Sequence, residues 1–241
     1  MKVILKEKPK GVTIIQGFPG FGMVGSISTE FLIEHLNTRL IGTVQLHELE
    51  PVIAIHDGKL IPPIGIYYAP EHNLIILNFL TKGSDLEWDL AKAITEISLT
   101  FEAKEIIALE GVAYQHSEGG KVEQKIICFA KSEEKRKEFS EKGFELMKEG
   151  IVMGVSAALL LQKDSLKCEL STFFSMTAST LPDSNAAAEI IKTLDKYLGL
   201  EVDFEPLHDQ ARKFEEKIKG LLTKSKNAKT EKEKSMLNYF S

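Results

Sequence analysis

The chain has 241 residues, of which 43% are hydrophobic and 27% are charged, and its formal net charge at pH 7 is −5. This composition is typical of a globular protein with a sizeable core and excludes a largely disordered chain. The acidic balance provides no general attraction to DNA, RNA or an anionic membrane, so we expect no nucleic-acid partner and no membrane partner.

Targeting and metal signals are absent from the sequence pattern. No apolar run reaches the roughly 18 residues of a membrane span, and Met1–Lys6 shows no long secretory-type apolar region. We therefore expect a cytoplasmic protein. Cys128 and Cys168 each lie in an apolar stretch, which favours buried, reduced thiols. The six histidines have no metal-ligand spacing, so we expect neither a metal nor a cofactor.

The first third of the chain predicts a strand, a glycine-rich loop and a helix. The strand covers residues 12–16, the loop covers residues 17–26, and apolar residues from Ile27 onwards have an approximately helical spacing. Turn residues separate the next strands, which we expect to form an antiparallel meander. These strands are predicted at residues 40–46, 52–56, 64–68 and 74–79.

The middle of the chain predicts the layer arrangement. Residues 86–101 have apolar side chains spaced by three and four, which indicates an amphipathic helix. Residues 106–109 form a continuous apolar strand, as in a parallel sheet with helices on both faces. We therefore predict a three-layer α/β/α sandwich with a mixed sheet. Later elements are predicted at 125–129 (strand), 132–146 (helix), 154–161 (helix), 173–178 (strand) and 185–198 (helix).

The C-terminal residues change in character. We expect an α/β domain over residues 1–205 and a C-terminal helix over 206–222, where apolar residues follow a heptad-like spacing. Residues 223–241 then form a tail. Its first part, 223–235, is almost wholly polar and predicts a solvated tether, whereas residues 236–241 restore aliphatic and aromatic side chains.

The glycine-rich loop has two interpretations. Residues 20–25 fit the G-x-G-x-x-G pattern of dinucleotide sites, but Gly17-Phe18-Pro19 stands between the strand and the pattern, and no P-loop lysine follows. The glycines therefore serve either close backbone packing or a bound anion or small ligand. Glu110, at the end of the buried strand, is a lone acid without an evident nucleophile or base. The candidate ligand residues are Gly17, Gly20, Gly22, Gly25 and Glu110, and no catalytic residue is assigned.

Several segments together resemble the proteasome assembly chaperone 2 family, in the order found there. The resemblance covers about residues 10–205. It implies a homo-oligomer, ring-like in arrangement, on a nucleoside phosphorylase-like fold, generally without a demonstrated reaction. The segments are residues 17–25, Leu49-Glu50-Pro51, residues 62–67, Glu110-Gly111, residues 150–154, residues 158–160 and residues 182–188.

The resemblance also gives the last residues a role. Some archaeal members engage the 20S proteasome through a C-terminal motif of a hydrophobic residue, tyrosine and any residue. Tyr239, Phe240 and Ser241 occupy those places here, with Phe240 at the tyrosine position, and Leu237 adds apolar surface nearby. The expected partner is the 20S proteasome or another protein complex. The alternative is that these side chains fold back onto the parent oligomer.

The sequence is compatible with three functions. The first is a non-enzymatic chaperone-like or activator-like protein that docks through its C-terminal tail. The second is a small-molecule or nucleotide-binding enzyme that uses the glycine-rich loop and Glu110. The third is a scaffold whose tails stay concealed.

Overall fold

A nine-stranded mixed sheet forms the centre of the computed structural model, which describes residues 1–49, 51–56, 58–81, 85–113, 125–177, 181–202 and Lys213. The strands are β1 (Lys2–Leu5), β2 (Thr13–Gly17), β3 (Arg39–Gln45), β4 (Ala54–His56), β5 (Lys59–Ile61), β6 (Ile64–Ala69), β7 (Leu74–Phe79), β8 (Glu105–Ala113), β9 (Ile126–Ala130), β10 (Glu145–Leu146) and β11 (Glu169–Thr177). The helices are α1 (Val24–His35), α2 (Glu87–Thr100), α3 (Glu133–Glu141), α4 (Gly154–Leu161) and α5 (Ser184–Leu198).

The sheet has a parallel centre with antiparallel pairing on both sides of it. Its strand order is β1-β3-β6-β7-β2-β8-β11-β9-β10, and β7, β2, β8 and β11 run parallel to one another. Antiparallel pairing joins β1, β3, β6 and β7 on one side and β11 with β9 on the other, where the edge strand β10 lies parallel to β9. Strands β4 and β5 form a separate two-stranded sheet.

Two hydrophobic cores lie on opposite faces of the sheet. Helices α1, α3 and α5 cover one face, where Ile15, Leu109 and Phe173 are buried. Helices α2 and α4 cover the other face, where Ile14 and Ile106 are buried. Neighbouring residues of β2 thus point to different cores, as the alternation of a strand requires. The central strands are apolar on both faces because helices cover both.

The predicted three-layer α/β/α sandwich with a mixed sheet is confirmed. The antiparallel meander is present in β3, β6 and β7. The relation to nucleoside phosphorylases stays a prediction. The division at residues 205 and 222 also stays a prediction, because the C-terminal helix and the tail lie outside the described residues.

Some element predictions were wrong in detail. The strand expected at 52–56 covers only Ala54–His56 and pairs with β5 outside the main sheet. The helix expected at 132–146 ends at Glu141, because Gly143 has a φ of +76° and turns the chain into strand β10. Strands β1, β5 and β10 were not predicted, since two to four residues carry too little periodicity to be recognised.

Both cysteines are buried free thiols, as the sequence predicted. Burial raises the pKa of Cys128 to about 12, so its thiol stays protonated at neutral pH. Within the described residues, no helix is long and apolar enough to cross a membrane.

A buried carboxylate ties helix α5 to the sheet. The Tyr197 hydroxyl on α5 donates to Glu105 Oε2 at 2.7 Å, and the Ser171 hydroxyl donates to Glu105 Oε1. Lys135 Nζ donates to the Tyr197 hydroxyl at 3.0 Å and lies 3.8 Å from Glu105. Burial raises the pKa of Glu105, while these two hydroxyls and the ammonium group oppose the rise. The network therefore stabilises the charged form of the Glu105 carboxyl group, which burial alone would destabilise.

We expect Tyr197→Phe to lower the free energy of unfolding by about 1–3 kcal/mol, because a buried carboxyl group loses a hydroxyl donor. Urea denaturation at fixed protein concentration measures the change. The control is Tyr68→Phe, whose hydroxyl donates to the neutral amide of Asn73 at 3.0 Å and not to a carboxyl group. A loss for Tyr197→Phe no larger than that of Tyr68→Phe would show that the network adds no special stability.

Candidate functional site

The glycine-rich loop lies at the carboxyl edge of the parallel strands. It leaves β2 at Gly17, forms a short 3-10 turn over Phe21–Met23 and enters α1 at Val24. Gly22 and Met23 have φ values of +60° and +49°, and the Met23 amide donates to the Gly20 carbonyl at 3.1 Å. The left-handed conformation at Gly22 is one that a residue without a Cβ adopts at little cost.

Three glycines let backbone segments approach one another more closely than side chains allow. A Cβ atom on Gly25 would lie 2.5 Å from the Leu109 carbonyl oxygen of β8. A Cβ atom on Gly17 would overlap the Gly25 carbonyl, and one on Gly111 would overlap the Phe21 carbonyl. The loop and the start of α1 are therefore packed directly on the backbones of β2 and β8.

This packing leaves no open anion site at the start of α1. Val24, Gly25 and Ser26 are all buried, so a phosphate group would not reach their backbone N–H groups without displacing the sheet. Gly20, by contrast, is exposed. The contacts therefore favour the packing interpretation for Gly17, Gly22 and Gly25.

Helix α5 holds the loop from the other side. The Asp183 amide donates to the Gly22 carbonyl at 2.8 Å, and Asp183 Oδ1 caps α5 by accepting from the Ala186 amide at 3.0 Å. Asp183 Oδ2 accepts from the Thr177 hydroxyl at 2.8 Å. One aspartate thus joins the loop, the end of β11 and the first turn of α5.

A cavity of about 710 Å³ opens beside the loop at the same edge of the sheet. Its size is within the range of small-molecule sites. Apolar side chains and backbone form most of its wall. The lining residues are Phe18, Pro19, Gly20, Phe21, Glu87, Glu110, Gly111, Val112, Ala113, Ile151, Val152, Met153, Gly154, Val155 and Phe174.

Glu110 is the most perturbed acid of this cavity. Burial raises the pKa of Glu110 to about 7, and the neighbouring Ser156 hydroxyl opposes part of that rise. Ser156 Oγ nevertheless makes no hydrogen bond of ordinary geometry. No lysine, arginine or histidine in the described part of the chain forms an ion pair with Glu110. At neutral pH the carboxyl group is therefore close to half ionised.

The site brings together some of the residues singled out in the sequence. Gly20 and Glu110 both line the cavity, whereas Gly17, Gly22 and Gly25 lie in the packed loop beside it. Sequence reasoning did not place Glu87 at the site and named residues 150–154 only as a segment of the family resemblance, because strands and helices far apart in the chain meet only in the fold. Tyr239, Phe240, Ser241 and Leu237 lie outside the described residues.

The described residues around Glu110 show no metal site and few reactive side chains. Among them, no group of three or more His, Cys, Asp or Glu side chains could hold a metal ion. The described lining residues include no serine, threonine, cysteine, lysine or histidine as a nucleophile or base. The fold and the site define a three-layer α/β protein that presents a cavity at its sheet edge.

The chain matches the sequence model of a protein family over most of its length. The model of the PAC2 family matches residues 14–222, so the chain belongs to the PAC2 family. The family membership predicted from the sequence is thereby confirmed. One relative is an uncharacterised protein of Methanocaldococcus jannaschii, MJ0106, which is 25% identical over 223 residues, or 92% of this chain and 90% of that protein.

Solved structures of similar proteins support this assignment. PbaA of Pyrococcus furiosus, described as an archaeal homologue of proteasome-assembly chaperone, has 28% identity and a TM-score of 0.82, covering 95% of this chain and 99% of PbaA. PbaB of the same organism, described as an archaeal proteasome activator, has 20% identity and a TM-score of 0.73, covering 91% of this chain and 98% of PbaB. The likeness to PbaB shows the shared fold.

We expect Gly25→Ala to lower the free energy of unfolding by about 1–3 kcal/mol, because its new methyl group would press on the Leu109 carbonyl. Gly20→Ala is the matched control, since its Cβ atom would find its nearest neighbour at 3.9 Å. We expect that variant to stay within about 0.5 kcal/mol of the unsubstituted protein. Equal stability of the two variants in urea denaturation would contradict the packing role.

Proposed function

We propose that the chain is a non-enzymatic, homo-oligomeric binding protein of the proteasome-assembly-chaperone type. It docks onto the 20S proteasome, or onto another large protein complex, through its C-terminal residues. The likeness to PbaA over 95% of this chain carries the proposal. The absence of a serine, threonine, cysteine, lysine or histidine among the described lining residues of the cavity supports the non-enzymatic part of the proposal.

The composition of the last residues supports a docking role. Leu237, Tyr239 and Phe240 bring apolar surface to a segment that follows a polar tether. Exposed aromatic rings are stabilised when a partner pocket buries them, and a terminal carboxylate can pair with a lysine there. The thirteen tether residues 223–235 would span about 20 Å as a flexible coil. That reach lets the terminal residues contact a partner beyond the parent domain.

Self-assembly would strengthen docking through the C-terminal residues. Several identical tails on one oligomer, arranged in a ring, would bind one partner together, so weak single contacts gain from effective concentration. The hairpin β4–β5 offers a surface for such assembly. Its cross-strand partners Ile55 and Leu60 are 68% and 63% exposed, and neighbouring Ile53 is 54% exposed. A two-stranded sheet of this kind is marginally stable alone, so cover by a second copy would stabilise it.

The nucleotide-binding alternative has less support. A nucleotide brings several negative charges, whereas the ionisable side chains among the described lining residues of the cavity are the carboxyl groups of Glu87 and Glu110. The start of α1, which would receive a phosphate in a dinucleotide site, is buried against β8. Charge and access both disfavour an anionic ligand.

We expect deletion of residues 236–241 to abolish binding to the purified 20S proteasome, measured by surface plasmon resonance with the native oligomer. Phe240→Ala should weaken binding because it removes a ring. Phe240→Tyr should strengthen it, because a hydroxyl returns to the position where the family motif has tyrosine. Asn238→Ala, outside the three-residue motif, serves as the control and should change little.

Two results would count against this role. One is binding that persists at full strength after the deletion. The other is a proteasome affinity that responds equally to Phe240→Ala and Asn238→Ala. The mass of each variant oligomer is measured in parallel, so that a loss of binding is not confused with a loss of assembly.

We expect the double variant Ile55→Glu, Leu60→Glu to reduce the native mass towards the monomer value of 26.9 kDa, because it places two charges on the apolar face of the hairpin. Light scattering after size-exclusion chromatography measures the mass. Lys59→Glu, on the same strand, is the control and should leave the mass unchanged. An intact oligomer in the double variant would place the subunit interface elsewhere.

A further inference from the structure

The cavity at the sheet edge has a charge pattern that selects for one kind of ligand. Among its described lining residues, the ionisable side chains are the two carboxyl groups of Glu87 and Glu110, and none is basic. Glu110 lies in β8, three residues before the strand ends at Ala113, and Glu87 comes from the first turn of α2. A ligand that entered this cavity would meet negative charge from this described part of the wall.

The wall suits an apolar or aromatic body. Phe21 is 42% exposed at the cavity, and Phe174 on β11 is a buried ring that also lines it. Val152 and Met153 add aliphatic surface from the segment that leads into α4. Aromatic faces also attract cations, so the rings reinforce the preference that the carboxyl groups set.

A buried hydroxyl lies beside Glu110. The Ser156 side chain on α4 is fully buried, and its hydroxyl opposes part of the rise in the Glu110 pKa. Glu110 forms no ion pair with a described residue. An ammonium group on a ligand would supply that missing cation.

We propose that this cavity binds a small organic amine, with its ammonium group beside Glu110 and its apolar body against Phe21 and Val152. The inference goes beyond the proposed docking function and does not depend on the C-terminal residues. It also gives a role to a carboxyl group in a largely apolar cavity.

Binding should depend on pH through the same carboxyl group. With a pKa of about 7, Glu110 is mostly protonated at pH 6 and mostly ionised at pH 8, so a cation should bind about 10-fold more tightly at pH 8. The groups facing Glu110 are Ser156 on α4, which does not titrate in this range, and Glu87 across the cavity on α2. An alkyl amine stays cationic over that interval.

The test compares three probes of one shape on the native full-length protein: 2-phenylethylamine, 2-phenylethanol and 3-phenylpropanoate. Titrations followed by ligand-observed NMR give each dissociation constant at pH 6 and pH 8. We expect the amine to bind about 10-fold more tightly than the alcohol at pH 8, and the carboxylate not to bind. Glu110→Gln should weaken amine binding about 10-fold and remove its pH dependence.

A second variant tests the cavity without changing Glu110, so that misfolding of the Glu110→Gln variant is not mistaken for a loss of binding. Phe21→Ala removes a partly exposed ring of the cavity and should weaken amine binding several-fold. Leu161→Ala, 71% exposed at the other end of α4 and away from the cavity, should not change it. The proposal is overturned if the alcohol binds as tightly as the amine, if Glu110→Gln leaves amine binding unchanged, or if none of the probes binds at millimolar concentration. None of these outcomes bears on proteasome binding, which is measured separately.

Discussion

The direct contact between the start of α1 and the backbones of β2 and β8 is the constraint on which the rest of the structure depends. It exists because Gly17, Gly25 and Gly111 present no side chains where the chains meet. With α1 held so close, the loop before it must turn outwards at the sheet edge. That turn places Phe21 at the cavity and brings the Gly22 carbonyl within reach of Asp183 on α5.

Successive residues of strand β8 face opposite sides of the sheet, so the strand serves two purposes. Gly111 faces the loop before α1 and allows the close approach, whereas the adjacent Glu110 faces α4 on the opposite side of the sheet. Packing and cavity are therefore set by neighbouring residues of one strand. Any change that shifted β8 by one residue would exchange their places and lose both features.

The sequence predicted the layers well because long periodic segments, such as α2 and the apolar centre of β8, carry a strong signal. It failed at short strands and at the end of α3, where Gly143 turns the chain and Phe144 packs against Phe139 and Tyr197. The loop and Glu110 could be singled out from local pattern. Glu87 could not, and residues 150–154 were recognised only as a family segment, because their meeting at the cavity depends on contacts between α2, α4 and the sheet.

The central claim is that a PAC2-family α/β body carries a terminus that binds by burial against a larger assembly. Electron cryo-microscopy of the full-length protein with the 20S proteasome tests it most directly. The account predicts density for Tyr239, Phe240 and Ser241 enclosed by the proteasome surface, with the α/β bodies grouped around it. A complex in which those three residues contact only the parent protein, or no complex at all, would contradict it.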